Sequence, residues 1–153
     1  MELSLNTLPA VRGTYVLLLE LPAAARLTVG RLGIIDFPAG WYAYVGSAFG
    51  PGGLRGRLKH HLTPVGKPHW HVDYLRQAAH CRELWIVASD AVYEHAAAVA
   101  LMAQPGAIVV APRFGASDCG CPAHLIHFAE RPDASLVLAQ ADIRMLAISV
   151  GDA

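Results

Sequence analysis

The first half of the chain alternates short apolar runs with turn residues, a pattern that predicts β-strands. Gly13–Leu21 is an apolar run with β-branched and aromatic members, 26–30 is a shorter candidate, and 41–47 is a third. Proline and glycine residues between these runs supply the turns. We therefore expect an antiparallel meander in this part of the chain.

The hydrophobic period changes after a glycine-rich segment. From Leu54 to Leu62 a leucine recurs every four residues, which predicts a helix with one apolar stripe. Arg57 and His61 are also four residues apart, so both project from one face of that helix.

Later segments continue the mixture of helices and strands. A second helix is expected from near Pro68 and a third over 91–104. The remaining strand candidates are 84–88, 107–111 and 125–128. The stretch 133–148 fits a helix or a strand equally. Together these elements predict an α+β fold with a small, mostly antiparallel central sheet flanked by helices.

Composition narrows the class of protein. The chain has 153 residues, of which 54% are hydrophobic and 16% charged, as expected for one compact domain. It contains no apolar run long enough for a membrane span, and its first residues lack the features of a signal peptide. A soluble cytoplasmic protein is therefore expected. Three cysteines, an odd number, do not indicate a disulfide framework.

The charges are unevenly distributed although the formal net charge is zero. No acidic residue lies between Asp36 and Asp73, and the basic residues there are Arg55, Arg57, Lys59 and Lys67, with four histidines. A neutral protein with one basic face can hold a polyanion locally. A solvated helix face explains the same pattern equally well.

Five residues are candidates for chemistry, and each has a plain structural explanation. Tyr15 and Tyr44 can be ordinary strand residues. Arg57 and His61 suit phosphate oxygens and proton transfer, or form a basic stripe that faces solvent. Glu94 lies in the first turn of an alanine-rich helix, where the helix dipole alone favours a carboxylate. A hard cation such as magnesium would nevertheless need an oxygen ligand of this kind.

Histidines and cysteines also raise the question of zinc. The candidates are His69, His71, Cys119 and Cys121. If 69–71 is helical, side chains two residues apart point to nearly opposite sides and cannot share one metal. The two cysteines lack the usual spacer of a zinc site. Structural zinc is therefore the weaker hypothesis.

The order of these residues resembles the core of the GIY-YIG nuclease superfamily. A Gly-Thr-Tyr triplet in an early strand is followed by Tyr44-Val45-Gly46, then by Arg57 and His61 on the next helix and a glutamate on a later one. The longer strings 40–48, 69–75 and 114–119 are similar to a small stand-alone branch of unknown function. The resemblance spans 12–128 and leaves 129–153 as a C-terminal extension that packs on the same domain.

The resemblance implies a nuclease that hydrolyses DNA or RNA with one divalent metal, Mg²⁺ or Mn²⁺. Glu94 would bind the metal and Arg57 the scissile phosphate, while Tyr15, Tyr44 and His61 would position or deprotonate the attacking water. The residues expected to contact substrate are Gly46, Arg55, Lys59 and His69. DNA is expected ahead of RNA. The small size and zero net charge leave room for help from a protein partner or a homodimer.

One departure from the superfamily keeps two alternatives open. Many members carry a late asparagine that supports the site, whereas the only asparagine here is Asn6. Ser117 or Asp118, in the loop 114–121, could substitute, or that loop is merely a tight turn. The chain could then be a catalytically inactive nucleic-acid-binding module of the same fold. The third hypothesis is a zinc-stabilised interaction domain.

Overall fold

The computed structural model describes residues 8–116, 122–133, 137, 139 and 143–150 of the chain. The strands and α-helices of this part are β1 (Gly13–Leu21), β2 (Ala25–Thr28), β3 (Ile34–Phe37), β4 (Gly40–Ala48), α1 (Gly53–Leu62), α2 (His71–Arg76), β5 (His80–Ala88), α3 (Glu94–Met102), β6 (Leu125–Phe128) and β7 (Leu146–Ser149). A short 3-10 turn at Gly30–Leu32 joins β2 to β3.

One five-stranded sheet organises the domain. Its strand order is β6-β4-β1-β5-β7, and every neighbouring pair is antiparallel. The strands β2 and β3 form a separate antiparallel pair. The structure thus confirms an α+β fold in which an antiparallel central sheet is flanked by helices.

The central strand β1 is buried on both faces, because successive side chains of a strand point to opposite sides. Tyr15 and Leu17 belong to a core cluster that includes the buried leucine and valine residues of α1 and α2. Val16 and Leu18 belong to a second cluster that includes the buried residues of α3. The helices therefore cover opposite faces of the sheet, with α1 and α2 on one and α3 on the other.

The predicted N-terminal meander is wrong in its connectivity. The strand β1 pairs along its whole length with β4, and β2 and β3 pair only with each other. The two nine-residue strands are apolar on both faces, so pairing them buries far more surface than pairing either with β2, whose residues are half-buried or exposed.

Two of the predicted helices are shorter than expected. The helix predicted from near Pro68 begins at His71, because the buried carboxylate of Asp73 accepts the N–H of Trp70 and fixes the first turn. The third helix begins at Glu94 and ends at Met102. None of the helices in the part described here is long and apolar enough to cross a membrane.

The C-terminal half of the sheet also differs from the prediction. The segment 107–111 makes a single bridge, between Ile108 and His127, instead of a strand. The ambiguous stretch 133–148 is described at 133, 137, 139 and 143–148, and in these residues the strand lies at the end, where β7 (Leu146–Ser149) pairs with β5.

Candidate active site

The register of β1 and β4 places Tyr15 directly opposite Gly46. A Cβ atom at Gly46 would collide with the Tyr15 hydroxyl oxygen, so the phenol crosses the partner strand where that strand has no side chain. Tyr44 lies opposite Leu17 on the same face of the sheet. Gly46, expected from the resemblance to contact substrate, thus has a packing function beside Tyr15.

His61 reaches this face of the sheet from the last turn of α1 and is 1% exposed. Its Nε2 atom shares a hydrogen bond of 2.8 Å with the Tyr15 hydroxyl. The ring of Tyr44 lies 6.2 Å from the His61 ring, centroid to centroid, in an edge-on arrangement. Three of the predicted residues therefore form one buried cluster.

Arg57 lies one helical turn before His61 and is half-buried. Its Nη1 donates a hydrogen bond of 3.1 Å to the Ser47 carbonyl, at the end of β4. The guanidinium carbon stacks 4.4 Å from the centre of the Trp70 ring. These two contacts hold the guanidinium at the rim of the tyrosine–histidine cluster.

Burial controls the protonation of this cluster. It raises the pKa of Tyr15 to about 12, while the positive charge of Arg57 acts in the opposite direction. Burial also raises the pKa of Tyr44 well above its ordinary value. It lowers the pKa of His61 to about 3, assisted by Arg76 and opposed by Asp73. At neutral pH the tyrosines are therefore protonated and His61 is uncharged.

Glu94 approaches the cluster from the other face of the sheet. The N–H of Tyr93 donates to the Thr14 hydroxyl at 3.2 Å, which ties the start of α3 to the start of β1. The Glu94 carboxylate, 28% exposed, lies 3.3 Å from His124 Nδ1. Its negative charge contributes to the raised pKa of Tyr15 and of Tyr44. Glu94 is therefore at the edge of the same site.

The remaining predicted substrate contacts lie outside the buried cluster. Arg55 is exposed on α1, and its Nε donates a hydrogen bond of 2.7 Å to the Leu8 carbonyl. Lys59 is exposed on the same helix, and His69 is exposed just before α2. Arg55 and Lys59 are each two residues from Arg57 on α1, so they project from the side of the helix away from it.

A family model described as "Domain of unknown function DUF123" matches residues 14–145. The chain belongs to this family. No curated protein and no solved structure matches it. The matched range contains the five predicted catalytic and metal-binding residues of this DUF123 domain, together with His124.

Two residues near the site were not singled out by the sequence. His124 precedes β6, and Asp73 lies in the first turn of α2. No local motif marks His124, because only strand pairing brings it to Glu94. Asp73 lies three residues after Trp70, a spacing typical of a carboxylate that caps the start of a helix. The sequence therefore does not indicate that Asp73 also lies near His61. In the described residues, the one group of three potential metal ligands consists of His60, His61 and Asp73, whose ligand atoms lie within 4.8 Å of one another.

Two of the histidines named for a zinc site, His69 and His71, lie in the described part of the chain. His69 precedes α2 and is exposed, so the helical premise for 69–71 does not hold. His71 Nδ1 accepts a hydrogen bond of 2.9 Å from the Gly115 N–H. The other residues named for this hypothesis and for the late loop lie outside the described part, namely Ser117, Asp118, Cys119 and Cys121.

Gly46→Ala tests the packing of Tyr15. The added methyl would meet the phenol, so we expect the Tyr15–His61 hydrogen bond to be displaced and the free energy of unfolding to fall by about 1–3 kcal/mol. Urea unfolding measures the second effect and the His61 ring resonances report the first. Gly66→Ala is the matched control, since no heavy atom lies within 4 Å of its added Cβ. Equal behaviour of the two variants would contradict this packing.

The low pKa of His61 predicts a pH-dependent stability. Between its ordinary pKa of 6.5 and its value of about 3 in the folded protein, the unfolded chain binds more protons at this residue. The contribution of neutral His61 to the free energy of unfolding is therefore fully present above pH 6.5. It declines as the pH falls below that value, by at most about 1.4 kcal/mol per pH unit.

His61→Gln should remove this part of the decline. The free energy of unfolding in urea, followed from neutral pH into the acid range, measures it. The exposed His69→Gln is the matched control and should retain the wild-type slope. Parallel curves for wild type and His61→Gln would show that His61 titrates normally.

Proposed function

We propose that this DUF123 domain is a metal-dependent phosphodiesterase that hydrolyses the backbone of DNA or RNA. The observation that carries the proposal is the 2.8 Å hydrogen bond between Tyr15 and His61, with a guanidinium and a carboxylate at the edges of the same cluster. Phosphodiester hydrolysis requires a proton acceptor, a fixed cation for the phosphate and a means of neutralising developing charge. These groups supply each requirement.

Arg57 suits the phosphate because its guanidinium is fixed before substrate arrives. The hydrogen bond to Ser47 and the stacking on Trp70 restrict the side chain, so little rotational freedom is lost on binding. The planar fork matches two phosphate oxygens, and its charge stabilises the negative charge that develops on them.

Tyr15 and His61 are suited to handle the proton of an attacking water. A phenol with a pKa of about 12 is a poor base alone. His61, uncharged at neutral pH, has one ring nitrogen able to accept a proton, and that nitrogen can be the one facing Tyr15. Tyr44 lies against the same ring and would orient the reactants.

Glu94 is the residue that would hold a divalent cation. Its carboxylate is partly exposed and lies beside the imidazole of His124. Mn²⁺ binds both carboxylate oxygen and imidazole nitrogen, whereas Mg²⁺ prefers the oxygen. A bound cation would supply stabilisation of negative charge on the phosphate. A single carboxylate leaves most coordination positions to substrate and water.

A second candidate function is nucleic-acid binding without catalysis. The only asparagine in the chain, Asn6, comes before the site residues, so the supporting asparagine of the superfamily is missing. The exposed basic residues Arg55 and Lys59 on α1 would serve binding equally well.

Cleavage of supercoiled plasmid, branched DNA and labelled RNA in Mg²⁺ or Mn²⁺ tests the first candidate. We expect Glu94→Gln and Arg57→Ala each to lower the rate by about 10²–10³-fold, because each removes a charge that stabilises the transition state. The matched controls Glu130→Gln and Arg31→Ala change exposed residues elsewhere and should cut normally. EDTA should abolish cleavage. Full activity in both site variants would show that these residues are not the site.

Lys59→Gln tests the binding surface shared by both candidates. If Lys59 contacts a phosphate, its loss should weaken binding to any sequence and reduce the slope of log affinity against log salt by about one. Fluorescence anisotropy with labelled DNA and RNA measures both. Binding by wild type and Glu94→Gln alike, with no cleavage by the wild-type protein, would favour the second candidate. The absence of binding at low salt would exclude it.

A further inference from the structure

A buried carboxylate lies behind His61. Asp73 is 0% exposed, and its Oδ2 accepts the backbone N–H groups of His69 at 2.8 Å and Trp70 at 2.9 Å. The Nε2 of His60 donates to both carboxylate oxygens at 3.1 Å. Arg76 Nη1 lies 3.5 Å from Oδ1. Such a group is fixed in position by the start of α2.

We infer that Asp73 is a positioning residue that holds His61 in the tautomer with its proton on Nδ1, so that Nε2 accepts the Tyr15 hydroxyl. The order Asp73–His61–Tyr15 then runs from the interior to the proposed reaction site. The inferred tautomer rests on the positions and charges of these three residues, and only its effect on cleavage rests on the proposed function.

Electrostatics decides between the two tautomers. His61 Nδ1 is buried and lies 3.9 Å from Asp73 Oδ1, with no hydrogen-bond partner of its own. A proton on Nδ1 points a positive dipole at the carboxylate, whereas a lone pair there would face a negative charge in a low-dielectric interior. The distance exceeds a hydrogen bond, as is common before a substrate closes a site.

The same arrangement keeps Asp73 ionised. Burial would raise the pKa of its carboxyl group, but the N–H groups of Trp70 and His69 and the side chain of His60 outweigh burial and lower it. The charge of Asp73 acts against the burial that lowers the pKa of His61, and so favours the imidazolium that would form if His61 took a proton from Tyr15 in the proposed reaction.

A metal ion fits the cluster of His60, His61 and Asp73 less well. The Asp73 Oδ2 already accepts two backbone N–H groups, and the guanidinium of Arg76 approaches Oδ1. A divalent cation would have to lie beside this fixed positive charge. The contacts therefore favour an anchoring carboxylate over a metal ligand.

The ¹⁵N resonances of the His61 ring in the wild-type protein test the tautomer without any enzymatic assay. The protonated and unprotonated ring nitrogens of a neutral histidine resonate at well-separated frequencies. We expect the protonated nitrogen to be Nδ1. Protonation of Nε2 instead would overturn the inference, whether or not the protein cuts nucleic acid.

The Asp73→Asn variant tests whether Asp73 fixes the tautomer of His61. The amide can donate to Nδ1, so we expect His61 to change to the Nε2–H tautomer and kcat to fall by about 10²-fold or more while KM changes little. Asp36→Asn, in an exposed ion pair, is the matched control for loss of one negative charge. If the Asp73→Asn protein folds and keeps the wild-type tautomer, the positioning role is wrong and Asp73 serves only to cap α2.

Zinc titration, followed on the same His61 resonances, tests the alternative that His60, His61 and Asp73 form a metal site. We expect no stoichiometric shift of His61 on adding zinc. A one-to-one zinc complex that is lost in both His60→Ala and Asp73→Asn would overturn the inference and make the cluster a metal site.

Discussion

The antiparallel register of β1 and β4 places Tyr15 opposite Gly46, and the position of the whole tyrosine–histidine cluster depends on that pairing. The phenol passes over a residue without a side chain and meets His61, which α1 presents from above. A slip of one residue in the register would turn Tyr15 toward α3, on the opposite face. The long, doubly buried strands prevent such a slip, since every side chain on both faces would move with it.

Burial then sets the chemistry that this geometry permits. Burial keeps Tyr15 protonated and His61 uncharged, so neither carries a charge at neutral pH. The charges near them belong to residues at the edge of the cluster. Arg57 supplies the positive charge on one side and Glu94 the negative charge on another, while Asp73 lies behind the imidazole. Each charged group is held by backbone or ring contacts that the sheet and its helices provide. The charges around the cluster are thus fixed by contacts within the protein.

Local patterns predicted the elements, and long-range pairing decided what the patterns left open. The bounds of β1 and the helix from Leu54 to Leu62 follow from apolar runs and a four-residue period, and both are confirmed. The partner of β1 did not follow, because pairing depends on buried surface far along the chain. The position of Asp73 beside His61 could not be predicted either, because the two residues lie on different helices that come together only in the folded protein.

The most direct test of the proposed site is a crystal structure of the protein with Mn²⁺ and a non-hydrolysable phosphorothioate oligonucleotide. Anomalous scattering locates the manganese and the density locates the phosphate. We expect manganese on the Glu94 carboxylate and one backbone phosphate within hydrogen-bond distance of Arg57, beside Tyr15. Manganese bound by His60 and Asp73, or a phosphate held away from Arg57, would contradict this expectation.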